Sequence, residues 1–346
     1  MSERVDLPTG GRRRRADGSS LLPRRRHWGA LVAGLAVAWG CTGPSPGDRS
    51  ITGRGWDTVW ATSRRLTDTL IPSPNLMTYS SGRLFVYDNS LSRVVALDAA
   101  TGRPLWAVGR MGNGPNELAG IAAILPDREG GVALVDIRNR RITRIDPLGQ
   151  FSAPVPVTTI GQQPNQVCYM KNGTFVVADV FQPNLLAMTS TGELIERLGP
   201  IWLDVVSLAM ESRHVLLRND PLGERCLVAL LTGRGFAIVT PDLSTRTARY
   251  VEPFDVHGLG ERRSEGDVKY SAIVDAEFSG DTLLVLFSGR TKEKYRLIDR
   301  FVGVEGRYLD TFLLPFGTDE MAAGDGQVFV LDPEQTGVVA LRPRLR

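Results

Sequence analysis

The sequence predicts an all-β fold in which six repeated four-stranded antiparallel sheets close into a ring. Three observations predict it: a strand and turn unit recurring at a fixed spacing, a last copy that aligns with the first without gaps, and an unmatched strand-like segment ahead of the first copy. Self-similarity at a period of a few tens of residues marks repeat architectures, because one unit alone cannot bury its own apolar faces.

The first unit opens with Leu84-Phe85-Val86-Tyr87-Asp88, turns at Asn89-Ser90, and continues as Arg93-Val94-Val95-Ala96-Leu97-Asp98. Ala99-Ala100-Thr101-Gly102 then leads into a third strand, Arg103 to Val108. The same unit returns as Val132-Ala133-Leu134-Val135-Asp136 and Arg141-Ile142-Thr143-Arg144-Ile145-Asp146, followed by the turn Pro147-Leu148-Gly149. Both Asp88 to Asp136 and Asp98 to Asp146 are offsets of 48 residues. A third copy is Phe175-Val176-Val177-Ala178-Asp179 with the turn Ser190-Thr191-Gly192. The fourth and fifth are blurred: Leu227 to Leu231 with Phe236 to Thr240, and Leu283 to Phe287 with Tyr295 to Asp299. Val328-Phe329-Val330-Leu331-Asp332 to Gly337-Val338-Val339-Ala340-Leu341 aligns with residues 84 to 97. Asp88 and Asp332 lie 244 residues apart, which at 48 to 49 residues per unit makes five intervals and six units. The β-branched runs with Gly and Asp turns are what short strands require.

Such units stack radially, so the fold class is a six-bladed β-propeller of four-stranded antiparallel blades. The last unit ends at Leu341 and lacks an outer strand, whereas Asp57-Thr58-Val59-Trp60-Ala61-Thr62, through Leu66 to Ile71, has no partner. An N-terminal strand from this segment is therefore expected to complete the last blade, close the ring and remove an exposed edge. Gly109-Arg110-Met111-Gly112-Asn113-Gly114-Pro115-Asn116-Glu117-Leu118 is similar to the Gly-x-Gly-Pro-Gly-Glu-Phe loop of six-bladed propellers of bacterial envelopes, the group related to NHL and TolB-like propellers. Asn116 replaces a Gly and Leu118 a Phe. The resemblance covers roughly residues 55 to 343 by repeat spacing. It implies the fold and an envelope location, and only loosely a function.

Ahead of the propeller, assigned to residues 55–346, two Arg runs, Arg12 to Arg15 and Arg24 to Arg26, precede the apolar stretch Trp28 to Trp39. That stretch is too short to span a hydrocarbon core of ~30 Å as a helix and has the length of a secretory h-region. Residues 1–40 are thus expected to be a signal peptide, and residues 41–54, opening on Cys41-Thr42-Gly43-Pro44, a flexible tether. The junction resembles the bacterial lipoprotein signal, with Cys41 as the lipidation site and membrane anchor. Ala38 and the bulky Trp39 depart from that pattern, and an ordinary cleaved signal or a retained N-terminal anchor are the competing readings. From residue 41 onward there are 33 basic and 35 acidic side chains, so the formal charge of +3 reflects the leader, and a nucleic-acid partner loses its support.

The Gly-rich loop invites reading as a phosphate cradle, yet no Lys-Ser or Lys-Thr follows, and a related loop recurs at Gly161-Gln162-Gln163-Pro164-Asn165-Gln166-Val167. A feature repeated per blade is read as a crossing from one sheet to the next, with Gly112, Gly114, Pro115 and Glu117 in structural roles. Cys168 and Cys226 either pair as a disulfide or sit as buried free thiols in neighbouring strands. His214 and His257 show no metal-ligand spacing. A Ca²⁺-binding ring of Asp88, Asp136, Asp179 and Asp332 competes with turn capping by the same carboxylates, and capping is the reading their positions favour. Glu261 to Asp267 reads as a solvated loop. No catalytic residue and no cofactor is assigned. The expected function is that of an exported, monomeric, envelope-anchored propeller that binds a protein, peptide or glycan; a periplasmic subunit of a larger assembly is a separate, lower-placed reading. The alternative is a metal-dependent hydrolase or lyase with a divalent cation in the central channel.

Overall fold

The computed structural model describes residues 50–53, 55–156, 167–178, 185–189, 191, 193–198, 215–230, 235–251, 273–287, 295–332 and 336–344. In chain order, β1 (Ile51–Gly53), β2 (Trp56–Ala61) and α1 (Arg64–Thr69) precede the first blade, β3 (Pro74–Ser80), β4 (Arg83–Asp88), β5 (Arg93–Asp98) and β6 (Pro104–Val108). The second blade is β7 (Ile121–Pro126), β8 (Val132–Asp136), β9 (Arg141–Ile145) and β10 (Val155–Pro156). The third is β11 (Val167–Tyr169), β12 (Phe175–Ala178), β13 (Leu185–Met188) and β14 (Leu194–Leu198). The fourth is β15 (Val215–Asn219), β16 (Cys226–Leu230), β17 (Gly235–Val239) and β18 (Thr245–Arg249). The fifth is β19 (Ile273–Ser279), β20 (Thr282–Phe287), β21 (Leu297–Val302) and β22 (Arg307–Leu313), and the sixth is built from β23 (Met321–Gly324), β24 (Gln327–Leu331) and β25 (Val338–Pro343). Within each blade the strands pair in sequence order, antiparallel. The fold is an all-β, six-bladed propeller.

Burial explains why the repeat reads as runs of Val, Leu and Ala rather than as an alternation. A strand flanked on both faces needs apolar side chains at every position. In β4, Leu84 and Val86 pack toward the sixth blade, whereas Phe85 and Tyr87 pack toward the second. Six such clusters fill the six seams between neighbouring blades, so the apolar core is itself a ring. Each fully buried Leu, Val or Phe contributes roughly 1.5–3 kcal/mol. The outer strands β14 and β18 are largely exposed, in keeping with Leu194-Ile195-Glu196-Arg197 and Thr245-Arg246-Thr247-Ala248.

Closure is made by β2, which pairs antiparallel with β25 in the register Trp60↔Ala340 and Ala61↔Val339. Two tryptophans rivet this strand to its neighbours. Trp56 Nε1 donates to Leu313 O of the fifth blade at 2.7 Å, and Trp60 Nε1 donates to Ala99 O of the first at 2.8 Å. At the seam beyond, Gly324 lies against the Tyr79 ring so closely that a Cβ there would stand 2.1 Å from it.

Two stretches differ from expectation. The strand-like reading of Leu66 to Ile71 gives way to a helix after Ala61: Ser63 Oγ accepts from Leu66 N at 3.2 Å as an N-cap, which starts α1. Arg93 then donates to the carbonyls of Thr69 and Leu70 that end it. The tether expected over residues 41–54 reaches structure before its end. Ile51–Gly53 adds to β22 as a parallel fifth strand, held by Thr52 Oγ1 on Asp310 Oδ2 at 2.7 Å and by Thr311 N on Ser50 O at 2.9 Å. Cys41 and the expected signal segment lie outside the described residues. No helix among the described residues is long and apolar enough to cross a membrane.

Candidate functional site

The innermost strands β3, β7, β11, β15, β19 and β23 touch in turn around the axis, which places their polar side chains in the central channel. Residues 215 to 218 read Val-Leu-Leu-Arg, and residues 273 to 278 read Ile-Val-Asp-Ala-Glu-Phe, so charge is set into otherwise apolar strands. Arg218, Asp275, Glu277 and Glu320 are all buried there. Arg218 Nη2 donates to Asp275 Oδ1 at 2.8 Å, and Arg218 Nε faces Glu277 Oε1 at 3.8 Å. Asp275 also accepts from Ala276 N and Met321 N, each at 2.8 Å, which favours its ionised form. Glu320 Oε1 accepts from Met77 N at 2.9 Å and so ties the sixth blade to the first.

One guanidinium thus serves three carboxyl groups. Burial pushes Glu277 and Glu320 well above the usual carboxylate range, and the charge of Asp275 adds to the effect while Arg218 opposes it. Burial also raises Asp275, against the pull of Arg218 and the two backbone N–H groups. Arg218 Nε and Glu277 Oε1 find no hydrogen-bond partner among the described residues. Further along the channel, Asn219 Nδ2 donates to Pro126 O at 3.2 Å, a link from the fourth blade to the second.

This cluster bears on metal chemistry. A divalent cation needs several oxygen ligands pointing at one place, and the shared place between these acids holds the guanidinium of Arg218. Among the described residues, no group of three or more His, Cys, Asp and Glu is arranged to hold a metal ion. His214, His257, Asp179 and residues 261–267 lie outside the described residues. Asp88, Asp136 and Asp332 do not face one another as a ligand ring. Asp88 accepts from Ser73 N, Ser90 Oγ and Leu91 N, Asp136 from Ala119 N, Gly120 N and Asn139, and Asp332 from the backbone and hydroxyl of Thr336.

The Gly-rich loop joins β6 to β7, the outer strand of one blade to the inner strand of the next. Leu118 is its buried foot. Glu117 folds back on the loop, accepting from Gly114 N at 2.8 Å and Arg110 Nε at 2.9 Å, and these two groups hold its carboxyl below the usual range. A side chain at Gly112 would collide with Glu117, at 2.1 Å, in a backbone with φ of 152°. The turn between β8 and β9 braces the loop: Asn139 Nδ2 donates to Gly112 O at 3.1 Å, and Arg141 Nη2 donates to Gly114 O at 2.8 Å. Gly109, Arg110, Gly114, Pro115, Asn116 and Glu117 line an open depression of 380 Å³ on this surface. The related loop at 161–166 lies outside the described residues.

Cys168 of β11 and Cys226 of β16 form a disulfide with Cα atoms 5.8 Å apart, buried in the seam between the third and fourth blades. Of the two sequence readings, pairing is the one the structure shows.

No family model matches the chain, and no curated protein sequence matches it. A solved structure described as an exported protein of Bacteroides fragilis shares the fold at a TM-score of 0.56 and 10% identity, over 84% of this chain and 94% of that one. Virginiamycin B lyase of Staphylococcus aureus aligns at a TM-score of 0.48 and 10% identity, over 78% of this chain and 80% of that one. Hydrazine synthase of Kuenenia stuttgartiensis aligns at 0.49 and 11%, over 80% and 97%. At these identities the first likeness speaks to fold alone, and the other two carry no weight for function.

Proposed function

We propose that the chain works at the cell envelope as a monomeric binding module, a rigid ring that presents one face to a protein partner, anchored through a lipid on Cys41. The observation that carries the binding reading is the open 380 Å³ depression in the braced loop between the first and second blades, a fixed concave surface on a scaffold. The disulfide supports an oxidising compartment. The Arg-rich leader with its apolar run supports the same location.

In-cell photo-crosslinking tests the binding reading. A photoreactive side chain at Asn116 in the loop, and another at the exposed Leu222 of the fourth blade, should give a discrete protein adduct from at least one position. No adduct from either would sink it. Cys41→Ala tests the anchor: the chain should leave the membrane fraction or stay unprocessed, and normal processing with unchanged partitioning would count against lipidation.

The competing reading, a hydrolase or lyase with a channel cation, draws on the carboxyl groups of Asp275, Glu277 and Glu320, but Arg218 stands where the cation would be bound. A stoichiometric Ca²⁺ or Zn²⁺ in the purified chain would favour it.

A further inference from the structure

We infer that the loop between the first and second blades docks an acidic segment of a partner protein, one with apolar side chains set between its carboxylates. This rests on the binding reading and specifies its partner. Three arginines stand on the loop and on the turn packed against it. Arg110 lies on it with a side chain that is 80% exposed, and Arg138 and Arg140 stand on the turn that braces it, both exposed. Contact between the turn and the loop is direct, since a Cβ at Gly120 would lie 2.9 Å from Arg138 Cγ. The side chains of Arg138 and Arg140 make no hydrogen bond or ion pair among the described residues; the backbone N–H of Arg140 donates to Ile137 O at 3.4 Å.

The acids nearby are already engaged. Glu117 is held by Arg110 and Gly114 N, and Asp88 and Asp136 are fully buried in their own turns. Arg110 is matched by Glu117, so the unmatched positive charge on this surface is that of Arg138 and Arg140, and complementary charge is what steers and orients a partner. Beside the guanidiniums, Met111 is 66% exposed and Leu91 40% exposed. Gly109 links the two, because a Cβ there would sit 3.2 Å from the carbonyl of Ser92, the neighbour of Leu91. Apolar and cationic groups interleaved in this way suit a peptide that alternates acids with Leu or Ile. An anionic glycan is the poorer fit: sugars lie on aromatic faces, and none of the exposed large apolar side chains among the described residues is aromatic.

The test is fluorescence anisotropy with the purified chain and three labelled probes: a peptide alternating Glu and Leu, the same peptide with Lys for Glu, and an oligogalacturonate as the anionic glycan. The Glu-Leu peptide should bind and the Lys-Leu peptide should not. The double variant Arg138→Ser with Arg140→Asn should weaken binding about tenfold, as two exposed charge contacts warrant. Asn suits position 140 because its φ is 51°. Met111→Ser should weaken binding with the charges intact. An unchanged melting temperature in each variant keeps the comparison on binding. Failure of the Glu-Leu peptide to bind, indifference to the double variant, or binding of the oligogalacturonate in its place would overturn the inference. An adduct from Leu222 and none from Asn116 would remove this site and leave the binding reading standing.

Discussion

Arg218→Met takes out of the channel cluster the only cation it holds among the described residues, while keeping most of the side-chain volume. The guanidinium is buried and bonded to Asp275 at 2.8 Å, and Glu277 and Glu320 stand near enough for its charge to act on both. Removing one partner of a buried pair leaves the other charge uncompensated, at a cost of about 3–5 kcal/mol. With an unfolding entropy near 2.1 cal/mol/K per residue over roughly 290 residues, about 0.6 kcal/mol/K in total, a loss of ~4 kcal/mol lowers the melting temperature by about 6–7 °C. Urea unfolding read by tryptophan fluorescence measures the loss directly. The pH dependence is the sharper check. Without Arg218 the folded-state pKa values of the three acids rise further above their unfolded values of about 4. The unfolded chain therefore ionises first as pH rises, and each step above that range favours unfolding. The cost should be small near pH ~4 and larger near pH ~7. Arg218→Lys, which keeps the charge, should lose less. A loss under about 1 kcal/mol at neutral pH, or one that is the same at both pH values, would refute the reasoning.

Glu277→Gln replaces, by an isostere, a carboxyl whose pKa burial raises, so stability should match the parent below pH ~4 and exceed it increasingly above that, as pH–stability curves will show. Opening the disulfide frees the loop it closes between Cys168 and Cys226, a sequence separation of 58. The loop-entropy relation puts the loss at about 4 kcal/mol, seen as a lower urea midpoint in the Cys168→Ala, Cys226→Ala double variant or under a reductant that reaches the bond. Gly324→Ala drives a methyl into the Tyr79 ring at the closing seam and should cost about 1–3 kcal/mol in thermal unfolding, while Gly326→Ala, with open space and a φ of 71°, should cost less.

The ring and its closing strand were legible because propeller seams demand contiguous apolar strands, and Val94-Val95-Ala96-Leu97 and Val338-Val339-Ala340-Leu341 meet that demand in the same way. The fourth and fifth blades were blurred because the sequence between their strands varies; β16, β17 and β20 nonetheless fall on the runs read as strands, whereas β21 starts at Leu297, two residues after Tyr295. Residues 64–69 misled because Leu66 to Ile71 is apolar enough for a strand, whereas one capping hydroxyl on Ser63 and two carbonyls bound by Arg93 decide for a helix. The three residues of β1 carry too little pattern to be seen at all. The channel cluster was missed for a different reason. Arg218, Asp275, Glu277 and Glu320 come from three blades, and only the ring brings them together. The available signal was charge within otherwise apolar inner strands, which is rare unless the charges are paired.

Pairing β2 with β25 sets an order of events as well as a shape. The bond from Val338 N to Thr62 Oγ1 joins residues 276 apart, so a strand made among the first must wait, edge bare, until nearly the whole chain is available. Contacts this distant in sequence form slowly, because the intervening loop must first be drawn in. During that lag β25 offers its own open edge to any strand at hand, a second copy of the chain included. The latch that makes the finished ring durable is thus also its last vulnerable step, and Trp56 and Trp60, one gripping each neighbouring blade, hold it once it is made.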